Sequence, residues 1–236
     1  MSRVRQLWRS LRAKRGFNVD EAPAYWQRYV RALPHIPAAD TPVDSLRFVA
    51  LDTETTGLDH ARDHVVTFGA VSVVDNAIDV AGAVAYHIRG QLPSDADSIE
   101  IHGVLNAELE GGISEARFVE LLVEYVAQGV IVGYRPGFDM AILNRLVLAH
   151  TGGRLVNPTL DVFALGMRVD YPLKPPFVNP ENYRLDVLCD RYGIEQPGRH
   201  TAIGDAYATA ILFMKLLHRL REGGVETLAD LRRRYL

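Results

Sequence analysis

A chain of 236 residues that is 48% hydrophobic can build one large core, and no apolar stretch approaches the ~18 residues of a membrane-spanning helix. Its single cysteine, Cys189, excludes an internal disulfide or a cysteine-built zinc site, and neighbours Leu185, Val187 and Leu188 mark it as a buried thiol. The net charge of −3 is unevenly divided: residues 1–33 hold eight Lys or Arg against Asp20 and Glu21, whereas the remainder holds 18 bases against 27 acids. Such a basic segment on an acidic body suits contact with nucleic acid, an acidic partner or a membrane surface. It lacks the apolar stretch of a secretion signal, so a cytoplasmic protein is expected.

Along the chain, Val4, Leu7, Trp8 and Leu11 share a helical stripe ringed by Arg3, Arg5, Arg9 and Arg12. A second helix is expected after Asp20, with Pro23 in its first turn and Trp26, Tyr29, Val30 and Leu33 turned inward. Each helix either packs on the main domain or serves as a docking arm. Pro34, Pro37 and Pro42 then mark an irregular linker. Residues 1–45 are therefore read as a basic helical arm with its linker, and residues 46–236 as the main domain.

Strands are expected near 47–53, 64–73 and 79–88, separated by turn signals at Gly57-Leu58-Asp59 and Asp75-Asn76, which makes an antiparallel meander. A helix follows near 114–128, then a short strand at 130–134. The next helix spans about 138–150, with Phe138, Ile142, Leu146 and Ala149 on one face. Helices near 159–168, 184–192 and 203–221 complete the chain. The last is apolar nearly all round from Ala206 to Leu217, as a central helix would be. A loop at 171–183 holds Pro172, Pro175, Pro176 and Pro180 and reads as a rigid spacer or a substrate-facing lip. This order implies an α/β fold with a mixed sheet flanked by helices, strand 47–53 lying at its centre because its apolar residues are continuous.

That strand ends on Asp52 and Glu54. Side chains alternate along a strand, so both acids face one way and Thr53 the other. Two crowded carboxylates losing hydration cost several kcal/mol or so, and a divalent cation is the usual compensation. Asp139 follows the strand at 130–134 and sits in the first turn of a helix, where α/β sheets assemble their sites. Asp205 opens the apolar last helix, which does not tolerate an unpaired buried acid, and His200 lies on the loop before it. Four carboxylates and one imidazole suit two hard cations, Mg²⁺ or Mn²⁺, with histidine as a base near neutral pH.

Phe48–Asp59 (FVALDTETTGLD), Ser98–Leu105 (SIEIHGVL), Gly133–Asp139 (GYRPGFD) and His200–Ala206 (HTAIGDA), in this order, resemble the DnaQ-like DEDDh 3′–5′ exonuclease superfamily. The resemblance spans about residues 46–221 and implies a ribonuclease-H-like mixed five-stranded sheet with helices on both faces, plus the N-terminal helical arm. It implies that Asp52 bridges two metals, that Glu54 and Asp205 hold the one that activates water, and that Asp139 holds the one near the leaving group. His200 becomes the general base. Thr55, Thr56, Gly57 and Leu58 match the segment that cradles the 3′-terminal nucleotide, and His102 a position beside the substrate. Where the family usually has His-Asn, this chain has Tyr134-Arg135-Pro136-Gly137, with Arg135 a candidate phosphate contact.

The activity so implied is removal of mononucleotides from 3′ ends, on single-stranded DNA first, in proofreading or repair. A 3′–5′ exoribonuclease or oligoribonuclease is the alternative. A non-catalytic, nucleic-acid-binding polymerase-accessory module is another. A polymerase or other protein partner would engage residues 1–33.

Overall fold

The computed structural model describes residues 19–89, 111–173 and 177–233. Strands β1 (Phe48–Thr55), β2 (Val65–Val74) and β3 (Ala77–His87) form the meander. It turns at Asp75 and Asn76, which both take the left-handed backbone that a tight hairpin requires. Helix α1 (Ala24–Arg31) precedes the meander; α2 (Glu115–Val126), β4 (Val130–Gly133), α3 (Gly137–Thr151) and β5 (Thr159–Asp161) follow it. The chain closes through α4 (Val162–Asp170), α5 (Leu185–Arg191), α6 (Ala202–Glu222) and α7 (Leu228–Arg232).

The sheet order is β3-β2-β1-β4-β5, with β1 central as its unbroken apolar run implies. β1 pairs antiparallel with β2 and parallel with β4, and β4 pairs parallel with β5, so the sheet is mixed. The fifth strand corrects the expectation of helix across 159–168. Thr159, Leu160 and Asp161 pair with Ile131, Val132 and Gly133 before α4 begins. Asp161 then caps α4 by accepting the Phe163 N–H. The strand is short enough that its sequence could not separate from the apolar helix behind it.

Two cores lie on opposite faces of the sheet. Phe48, Ala50, Val71, Val130 and Val132 pack against α4, α5 and α6, whereas Val49, Leu51, Phe68, Ala70 and Ile131 pack against α1, α2 and α3. Helix α6 is buried along most of its length, through Ala206, Ala208, Leu212, Phe213 and Leu216. On α3 the buried face is Ile142, Leu143, Leu146 and Val147, with Ala149 exposed, a rotation from the face expected. Cys189 is buried, and burial pushes its thiol up to about 11.

Residues 19–45 join this core. Trp26, Tyr29, Val30 and Leu33 are buried in it, and the Tyr29 hydroxyl donates to Asn157 Oδ1 at 2.7 Å while accepting the Val156 N–H. The second N-terminal helix therefore packs on the domain. The stripe at Val4, Leu7, Trp8 and Leu11 lies outside the described residues.

Candidate active site

The alternation that divides the core also builds the site. Beyond Ala50 and Leu51, β1 sends Asp52 and Glu54 to the α6 side of the sheet and Thr53 to the α3 side. Asp205 lies in the first turn of α6, so its position depends on how closely that helix approaches the sheet. The register partner of Asp52 on β2 is Gly69. A Cβ at Gly69 would lie 2.3 Å from Ile203 N and 2.4 Å from the carbonyl carbon of Ala202, so bare backbone is what lets the start of α6 settle there. As a result, Asp52, Glu54 and Asp205 offer carboxylate oxygens that all lie within 4.8 Å of one another.

Asp139 comes from the opposite face. β4 pairs with β1 at Phe48, Val49 and Ala50, and Asp139 stands on the helix that follows β4. Its Oδ1 accepts the Thr53 backbone N–H at 3.1 Å and the Thr53 hydroxyl at 2.6 Å. Thr53, the residue between the two acids, thus holds the fourth carboxylate. Asp139 stands outside the tight group of three, yet its charge acts on Asp52 more strongly than that of Asp205 or Glu54.

The electrostatics are those of a crowded acidic cage. Burial, then Asp139, Asp205 and Glu54, raise the Asp52 carboxyl well above its ordinary range, with Arg199 pulling the other way. Glu54 is pushed up to about 7, chiefly by burial and then by Asp205, while His200 and Arg199 oppose the shift. Burial also raises Asp139, which the Thr53 hydrogen bond restrains, and Asp205, which Arg199 restrains. Arg199 forms an ion pair with Asp205 Oδ2, whereas Asp205 Oδ1 is buried without a hydrogen-bond partner. An orphaned carboxylate oxygen within a hard-oxygen donor set and an excess of negative charge together fit a bound divalent cation.

His200 is exposed on the loop before α6 in a left-handed conformation (φ +64°), and its charge acts on both Glu54 and Asp205. Thr201 caps α6 by accepting the Gly204 N–H at 3.1 Å, which fixes where the helix starts and the loop ends. Thr55 is buried, with its hydroxyl donating to Gly57 O at 2.7 Å, and the Thr56 hydroxyl donates to Asp63. Leu58 is 91% exposed beside them. Arg135 is exposed at φ +47°, its N–H bonded to Asp161 Oδ1 and its guanidinium 4.4 Å from the Phe163 ring centroid. His102 lies outside the described residues.

Sequence reasoning passed over Thr53, Gly69 and Arg199. Arg199 stands next to His200, and a cation flanking a loop base before an acid-headed helix was a visible signal. Gly69 carried a weaker one, a glycine inside a strand rich in β-branched residues, which marks close backbone approach.

A carboxylate cluster at the end of the central strand, with an imidazole on the adjoining loop, fits the chemistry of phosphodiester hydrolysis, and the sheet that carries it is ribonuclease-H-like. The chain belongs to the exonuclease family whose model, RNase_T (Exonuclease), matches residues 49–213, and with it to the DnaQ-like 3′–5′ exonuclease superfamily. A DNA polymerase III subunit epsilon-like protein of Rhodobacter capsulatus is 36% identical over 193 residues, covering 80% of this chain and 26% of that protein. DNA polymerase III subunit epsilon of Aquifex aeolicus is 27% identical, covering 73% of this chain and 81% of that protein. The fold matches E. coli Exonuclease I, solved in complex with a dT13 oligonucleotide, with a TM-score of 0.62 at 22% identity, over 76% of this chain and 42% of that one. The chain therefore spans about a quarter of the Rhodobacter relative and less than half of the structural neighbour.

Proposed function

We propose that this protein hydrolyses the terminal phosphodiester at 3′ ends of single-stranded DNA, with Asp52, Glu54, Asp139 and Asp205 holding two Mg²⁺ or Mn²⁺ ions and His200 acting as general base. The observation that carries the reading is the convergence of Asp52, Glu54 and Asp205 oxygens within 4.8 Å, with Asp139 tied to the same strand by Thr53. The cations, when bound, would neutralise the acids and the charge developing at phosphorus.

The residues of the chain account for the rest. His200, exposed on its loop, takes a proton from the attacking water. The new P–O bond forms as the bond to the 3′ oxygen breaks, and that oxygen takes up a proton, leaving a shortened chain and a 5′-mononucleotide. The turn carrying Thr56, Gly57 and Leu58 receives the 3′-terminal nucleotide, with Leu58 as an apolar wedge against its base. Arg135 contacts a phosphate further along the strand. DNA is favoured because the relatives are DNA polymerase III proteins and the structural neighbour was solved with a DNA oligonucleotide. The same relatives support a replicative polymerase as partner.

The test is a 3′-shortening assay on 5′-labelled single-stranded DNA, duplex DNA and RNA of matched sequence, with Mg²⁺, Mn²⁺ or EDTA. Stepwise loss of 3′ nucleotides from single-stranded DNA, abolished by EDTA and by Asp52→Ala, is expected. Wild-type activity in Asp52→Ala would sink the catalytic assignment, and faster degradation of RNA would move the substrate to RNA.

A further inference from the structure

The turn between β1 and β2 is internally braced. Thr56 N donates to His64 O at 2.9 Å, and His64 N donates to Thr56 Oγ1 at 3.0 Å, which closes the neck. Inside it, the Asp63 carboxylate accepts the Thr56 hydroxyl at 2.9 Å and the Asp59 N–H at 2.7 Å. Gly57 lies against that carboxylate, where a Cβ would stand 2.7 Å from Asp63 Oδ2. The segment projecting Leu58 therefore rides on Asp63.

Bracing of this kind sets the shape of the turn, and α3 ties that turn to the rest of the domain. Arg145 donates from one guanidinium nitrogen to Ala61 O and from another to Asp63 O, a planar fork gripping two carbonyls of the turn. Arg145 and Asp139 belong to the same helix, so one rigid element carries both a cage carboxylate and the tether of the turn. A second tie, His64 Nδ1 to Glu115 Oε1 at 3.7 Å, joins two exposed groups and adds little.

We propose that Arg145, acting through the Asp63-braced turn, is a positioning residue that sets the height of Leu58 above the carboxylate cage and hence the seat of the 3′-terminal nucleotide. The inference rests on the reading of that turn as the nucleotide cradle. It separates two tasks: α3 places the acid near the leaving group and the wedge against the base in fixed relation, so a displaced turn weakens substrate binding while the cage stays whole.

Steady-state shortening of a 5′-labelled single-stranded DNA tests this in wild type, Arg145→Gln, Asp63→Asn, Leu58→Ala and the double variant Arg145→Gln/Leu58→Ala, with Mn²⁺ affinity measured by calorimetry. Arg145→Gln and Asp63→Asn are expected to raise KM about tenfold, with kcat within about threefold and Mn²⁺ affinity within about twofold of wild type. The double variant should match Leu58→Ala alone, because a wedge already removed has no height to lose. An unchanged KM in both single variants, or KM increases that multiply in the double variant, would overturn the proposal while leaving the exonuclease reading intact. If Arg145→Gln does not fold, Asp63→Asn carries the same comparison. A wild-type protein that shortens no 3′ end in Mg²⁺ or Mn²⁺ removes the nucleotide-cradle reading, and this role with it.

Discussion

Asp63 and Asp205 are the same residue type, one in the turn after β1 and one in the candidate site, and their surroundings drive them in opposite directions. In the turn, the Asp59 N–H and the Thr56 hydroxyl hold the Asp63 carboxyl below its ordinary value. In the cage, burial raises Asp205, one of whose oxygens has no hydrogen-bond partner. An acid surrounded by donors is satisfied by the fold alone, whereas acids facing one another suit a bound cation. The difference lies in the partners and not in residue type, and only the tertiary fold supplies them.

Removing charge from the cage should therefore abolish function without harming the apo fold. Asp52→Ala is expected to cut exonuclease activity roughly 10³-fold or more, since several kcal/mol of transition-state stabilisation would depend on the cations it is proposed to hold. Asp52→Asn should raise the melting temperature in EDTA, because it relieves repulsion from Asp139, Asp205 and Glu54. A lower melting temperature in EDTA would break the contrast with Asp63. Next in size, His200→Ala should slow turnover about 10²- to 10³-fold. Because His200 is exposed on its loop, calorimetric Mn²⁺ affinity should stay within about twofold.

Gly69→Ala tests how the cage is assembled. Its Cβ would meet the backbone of Ala202 and Ile203, atoms that cannot rotate away, so α6 must shift from the sheet. A destabilisation of about 1–3 kcal/mol by urea titration is expected, together with weaker Mn²⁺ binding. Weaker cation binding with the stability unchanged would still place Gly69 at the site, whereas neither change would remove it.

How much of this was visible beforehand follows from the range of each interaction. Period-two alternation placed Asp52 and Glu54 on one face, because it is a local property of a strand. The apolar run of β1 and the wholly apolar α6 gave away the centre of the fold for the same reason. The strand Thr159–Asp161 was hidden, since it exists only through its pairing with β4. Thr53 reads as a mere spacer until α3 brings Asp139 beside it, and Arg145 as a surface cation until the turn folds over it. Contacts across 86 and 84 positions of chain have no local signature.

The smallest effect separates the cage from the turn by the sign of their pH dependence. Glu54, raised to about 7, keeps a proton in the native state that the unfolded chain has already released. Its contribution to stability is complete below the ordinary glutamate value and is lost as pH rises toward 7. Asp63 is lowered, so its contribution is present at neutral pH and is lost as pH falls through its native value. In EDTA the wild-type melting temperature should decline between about pH 5 and pH 8, and Glu54→Gln should flatten that slope. Saturating Mn²⁺ should restore stability most at the alkaline end, where the carboxylates are ionised. Asp63→Asn should cost about 1 kcal/mol at pH 7, some 2–4 °C, and less at pH 3. A Glu54→Gln profile parallel to wild type would mean that the cage acids are already ionised without metal, and the contrast with Asp63 would then rest on hydrogen bonding alone.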